Sequence, residues 1–111
     1  MVLPSEGEKV GEIMDIKVSG SNDIEIMGNI TTLGDYQEIK RVVADLMREN
    51  NKRLTIRIKD AFSITSSVIG FFLKLVYQDG VELYLEVADE RLLNLLEDLR
   101  LNDAFNAKLV G

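Results

Sequence analysis

The sequence predicts an α/β domain of two layers, a mixed sheet of four to five strands with helices on one face. Three observations carry that reading. Every strand-like segment alternates apolar and polar residues, so each strand has one buried and one wetted face. A parallel sheet covered on both faces shows near-continuous apolar strands instead, and the chain has none. Segments of helical period interleave with these strands in the order β-β-α-β-α-β-α-β. At 111 residues, 46% apolar and 29% charged, the chain has the size and composition of one domain around a single core.

Residues 1–12 alternate acidic residues with glycine, include the lone proline (Pro4) and lack an apolar signal core, so they read as an N-terminal tail ahead of a domain over 13–111. Met14, Ile16 and Val18 interleave with Asp15, Lys17 and Ser19 as a first strand, and Ile24 and Ile26 flank Glu25 in a second. Gly20-Ser21-Asn22-Asp23 between them predicts a hairpin. Residues 33–50 place Tyr36, Ile39, Val42, Val43, Leu46 and Met47 on one helical stripe. Thr32 and Asp35 stand at capping-box spacing, and Asn50-Asn51 are set to end this helix.

Leu54, Ile56 and Ile58 define a third strand, and Val81, Leu83, Leu85 and Val87 a fourth. Between them residues 66–78 are apolar nearly all round, which predicts a central buried helix stopped by Asp79-Gly80. This β-α-β unit is expected to cross over right-handed. Residues 89–100 repeat leucine behind Asp89, a natural N-cap, and Phe105 to Val110 reads as a short final strand.

Composition excludes several function classes. With 19 acidic against 13 basic residues the net charge is −6, and no basic cluster exceeds pairs such as Lys40-Arg41, so nucleic-acid phosphates are repelled. The longest apolar region, Val68 to Tyr77, is interrupted by Lys74 and falls short of the ~20 residues a membrane span needs. A cytoplasmic location is the expectation. The chain lacks histidine and cysteine, which removes the usual nucleophilic triads and soft-metal sites, and no glycine-rich phosphate loop is present. We therefore expect no enzyme, no metal and no cofactor. Asp60, just after the third strand, sits where a response-regulator receiver keeps its phospho-acceptor. The acidic pair such a domain needs after its first strand is missing, and Asp60 reads as a turn residue.

The chemistry that remains lies in Ser63-Ile64-Thr65-Ser66-Ser67, four hydroxyls in five positions between a strand and an apolar helix. Thr65 or Ser66 would cap that helix. A helix N-terminus also favours negative charge, so a phosphate added there is stabilised. The two readings are compatible. Tyr84, set among Glu82 and Glu86 on the wetted strand face, is a modest interface candidate.

From about Met14 to Leu109 the chain resembles the STAS domains, the family of bacterial anti-sigma-factor antagonists and of sulfate-transporter tails. The family signature is a strand, then Asp-Ser-Ser-Gly-Leu-Gly, then a buried helix, and the matching residues are Leu54-Thr55-Ile56-Arg57-Ile58 and Thr65-Ser66-Ser67-Val68-Ile69-Gly70. Ile26-Met27-Gly28-Asn29-Ile30 resembles the family's second strand and turn, and Leu99 to Phe105 its segment before the last strand. Thr65 stands where the family has aspartate, and Val68 where it has glycine, adding bulk that would narrow a partner's approach.

The resemblance implies a stand-alone switch, an anti-sigma factor antagonist-like protein phosphorylated at Ser66, with Thr65 and Ser67 as the neighbouring alternatives. It implies a contact surface of the segment Asp60–Ser63 with Thr65, Ser66, Ser67 and Ile69. The implied partners are an anti-sigma factor or related serine kinase and a PP2C-type phosphatase that resets the switch. The alternative is a non-phosphorylated scaffold subunit of a larger signalling or transport assembly, which the departures at Thr65 and Val68 favour. One wetted sheet face and an uncovered edge strand leave a homodimer open.

Overall fold

Alternation along the strands becomes a sheet whose apolar rows coincide. The computed structural model describes residues 14–48 and 52–110, so the tail and the Asn50-Asn51 helix stop lie outside the described residues. The elements are β1 (Asp15–Val18), β2 (Asp23–Met27), α1 (Leu33–Met47), β3 (Arg53–Lys59), α2 (Ser66–Tyr77), β4 (Glu82–Val87), α3 (Glu90–Asp98) and β5 (Lys108–Leu109). The five strands lie in sequence order across one mixed sheet. β1 and β2 form the antiparallel hairpin, and every later neighbour pair is parallel.

Register explains why the helices occupy one side. Ile24 pairs with Ile56 and Ile56 with Leu85, while Ile26 pairs with Ile58 and Ile58 with Val87. All of these side chains are fully buried, and with Leu54 and Leu83 they form the floor on which the helices pack. α1 contributes Ile39, Val42 and Val43, α2 contributes Val68, Phe72 and Leu75, and α3 contributes Leu92 and Leu96. Burying a side chain of this size is worth about 1.5–3 kcal/mol, so these rows are the main source of stability.

The opposite face is a charge lattice. Glu25 lies between Lys59 at 2.8 Å and Lys17 at 3.4 Å, Arg57 meets Glu86 at 2.7 Å, and Arg53 meets Glu82 at 3.2 Å. The Lys59 ammonium beside Glu25, with Lys17 behind it, holds that carboxyl below its ordinary range.

Three expectations need correction. α2 is not buried all round: only Val68, Phe72 and Leu75 are sealed, Ile69, Phe71, Leu73 and Val76 are half-buried, and Tyr77 is 71% exposed. With helices on a single face, a helix has only one layer to pack against. Phe105 is not in a strand. It sits in the turns after α3, its ring edge-on to Phe72 at 5.8 Å between centroids, and only Lys108–Leu109 pair with β4. α3 ends at Asp98, leaving Leu99 half-exposed as its C-cap.

Gly70 lies on the exposed side of α2, and beyond its chain neighbours and the local helix backbone nothing stands within 4 Å of where a Cβ would be. Gly70→Ala should therefore raise stability by about 0.5–1 kcal/mol in denaturant unfolding; a loss would contradict this helix geometry. Because Glu25 is depressed when folded, its contribution is complete above the ordinary carboxylate value of about 4.3 and is lost as pH falls through the lower folded value. Lys59→Ala should move the Glu25 titration upward in carboxyl NMR, and an unmoved titration would contradict the lattice.

Candidate functional site

Parallel topology gathers three helix N-termini. β2, β3 and β4 run in one direction and each is followed by a helix, so α1, α2 and α3 all begin at the carboxyl end of the sheet, the end where open α/β sheets place their ligands. Two loops meet there. The Asn29 side-chain oxygen accepts the Phe62 N–H at 3.0 Å, and Gly28 N–H donates to the Lys59 carbonyl at 2.9 Å. These bonds tie the β2–α1 turn to the β3–α2 loop that carries the hydroxyls.

The three N-termini are finished differently. At α1 the expected capping box is present: the Asp35 N–H donates to Thr32 Oγ1 at 3.0 Å, and the Thr32 N–H returns to Asp35 Oδ2 at 3.2 Å. At α3 the Asp89 carboxylate accepts the Arg91 N–H at 2.8 Å and the Arg91 guanidinium at 3.0 and 2.6 Å. The Arg91 side chain, then its N–H, hold the Asp89 carboxyl below its ordinary value. At α2 the cap is Thr65, whose Oγ1 accepts the Val68 N–H at 3.3 Å, and no acidic residue stands in the first turn. This is the end with no carboxylate to answer its dipole.

Ser66 and Ser67 are the first two residues of α2 and both are exposed. Neither hydroxyl has a hydrogen bond among the described residues, because Thr65 has taken the cap. The cluster therefore divides its labour: Thr65 is structural, and Ser66 and Ser67 are left outward. Ser63 is half-buried. Asp60 is exposed at a backbone φ of +56°, which suits a turn carboxylate better than a buried phospho-acceptor. Ile69 is half-buried against the core and offers only its rim.

Val68 differs from expectation. Its side chain is fully buried in the core, so the bulk added at this position faces inward and does not obstruct an approach to Ser66. Thr65, where the resemblance places aspartate, supplies the capping oxygen an aspartate would supply, without its charge.

Phe62 lies in the segment Asp60–Ser63 of the implied contact surface, whereas sequence reasoning gave no role to Arg91 or Leu33 and did not foresee the Asn29 bond to the Phe62 N–H. Phe62 is 47% exposed with the Arg91 guanidinium 4.6 Å from its ring centre, and Leu33, 67% exposed, opens α1 at the same end of the sheet. An apolar residue inside the polar loop after Asp60 was the available signal for Phe62; the Arg91 stacking depends on a contact between distant segments. Tyr84, by contrast, is engaged: the neighbouring Glu82 carboxylate raises its phenol pKa, and Arg53 lies over its ring at 6.0 Å. It lines a concavity of about 570 Å³ on the open sheet face.

Among the described residues no group of acidic side chains is arranged to hold a metal ion, and no helix is long and apolar enough to cross a membrane. The chain matches no protein-family model and no curated protein sequence.

The division of labour is testable by mutation. Thr65→Ala should cost about 1 kcal/mol through loss of the cap, while Ser66→Ala stays within about 0.5 kcal/mol of the parent. Equal losses in chemical denaturation would show that the two hydroxyls share the cap.

Proposed function

We propose that this chain is a regulatory domain that works by reversible binding to a protein partner, with phosphorylation of Ser66 weakening that binding. The observation that carries the reading is the α2 N-terminus, where an exposed serine free of capping duty stands at the one of the three described helix starts that lacks an acidic residue. A phosphate there adds about −1.5 to −2 charges and three acceptor oxygens. The dipole and the first-turn N–H groups stabilise that charge within the domain. A partner seated over Phe62 and Ser66 must instead desolvate it. Losing tenfold in affinity takes only about 1.4 kcal/mol, so local occlusion is sufficient and no refolding is needed.

The resemblance to STAS domains supplies the identity of the partners in this proposal: an anti-sigma factor or related serine kinase, reset by a PP2C-type phosphatase. The buried position of Val68 answers the steric objection at that departure, while Thr65 in place of aspartate still favours the permanently unmodified scaffold.

Mass spectrometry of the protein from its native cells should find phosphate on Ser66 in at least one growth condition, and the captured partner should bind Ser66→Ala as it binds the parent but Ser66→Asp about tenfold more weakly or worse. Unmodified residues 63–67 in every condition, with equal binding by both variants, would overturn the switch and leave the scaffold.

A further inference from the structure

On the helical layer, α1 and α2 leave a groove of about 430 Å³ between their C-terminal halves. Its floor is apolar, formed by Val43 and Met47 from α1 and by Phe71 and Leu75 from α2. Its rim is cationic: Lys40 from α1, Arg48 at the α1 C-cap and Lys74 from α2, against Asp79 as the one acid among the described lining residues. Lys74 pairs with Asp79 at 3.2 Å, and Arg48 pairs with Asp45 on the side of α1 that also holds Arg41. Lys40 lies over the Tyr36 ring at 5.2 Å and has no carboxylate partner among the described residues. Lys52 adds a further cation, reaching the Asp79 carbonyl at 3.3 Å. A positive rim around an apolar floor is a local inversion in a chain of net charge −6.

We propose that this groove docks an amphipathic helix of a protein partner, with an apolar stripe flanked by acidic residues. Charge complementarity selects an acidic occupant. Spacing selects a helix over a single-headed amphiphile: Lys40 and Arg48 are eight residues apart, about 12 Å along the α1 axis, too far for one carboxylate but matched by acids two turns apart. α2 supplies the apolar surplus. Its sequence is apolar nearly all round, the mark of a helix covered on several sides, yet the sheet seals only three of its residues and leaves Phe71 half-buried at the groove. Since the groove lies toward the opposite end of α2 from Ser66, this docking does not depend on the phosphoswitch.

The test titrates three probes into the isotope-labelled full chain: a synthetic helix with a leucine stripe flanked by glutamates, the same stripe flanked by lysines, and dodecanoate. The glutamate helix should shift the amides of residues 40–48 and 71–79 and should weaken as salt rises. The lysine helix should not bind. The Lys40→Glu/Lys74→Glu variant, altered only at exposed positions, should stay folded with its amide spectrum otherwise unchanged. It should melt slightly lower, because Lys74 no longer pairs with Asp79, and lose about tenfold or more in affinity for the glutamate helix. Absence of shifts with the glutamate helix, equal binding of both helices, or an undiminished affinity in the charge-reversed variant would overturn the proposal. So would shifts from dodecanoate alone, which would make the occupant a single-headed amphiphile.

Discussion

The structure depends on one constraint, the burial of a single face of three parallel strands. The rows Ile24–Ile56–Leu85 and Ile26–Ile58–Val87 must be covered, and the hydrophobic effect covers them with the helices that the chain supplies between the strands. Parallel strands on one side then leave no choice about the helix starts. All three come to the carboxyl end of the sheet, and every residue in the candidate site is there because of that. The lattice of Lys17, Glu25, Lys59, Arg57 and Glu86 on the bare face is the complementary consequence: a sheet covered once must keep its other face wet.

Within this frame small chemical differences between the helix starts acquire meaning. Thr32 with Asp35, and Asp89 with Arg91, neutralise their own N–H groups and consume their own carboxylates. Thr65 satisfies one N–H of α2 with a neutral oxygen. The outcome is a helix start that is structurally complete and electrostatically open, with a serine beside it. The same economy works at the other end of the helical layer, where Lys74 in the last turn of α2 answers that helix's dipole and, with Lys40 and Arg48, rims an apolar groove.

Much of this was legible in the sequence because period carries it. Alternation at Leu54, Ile56 and Ile58 located β3 and its buried face, and Thr32 with Asp35 announced a capping box that the structure contains. Other features escaped because they depend on what the rest of the chain leaves uncovered. The composition of residues 66–78 could not say that only one layer would pack on α2, so its half-exposed Phe71 and exposed Tyr77 were unforeseen. Phe105 has the apolarity of a strand residue but fills a hole beside Phe72 from a turn, a packing fact with no periodic signal. At the site, the hydroxyl cluster was evident, whereas the assignment of the cap to Thr65 and the inward course of Val68 required the helix phase.

The central claim is that the start of α2 accepts a phosphate on Ser66 without cost to the fold. The most direct measurement is a phosphorus NMR titration, with thermal unfolding, of the chain carrying phosphoserine at position 66. The account predicts a second phosphate pKa below the ordinary value of about 6 and a melting temperature at neutral pH no lower than that of the unmodified chain. A pKa at or above 6 together with a lowered melting temperature would contradict it.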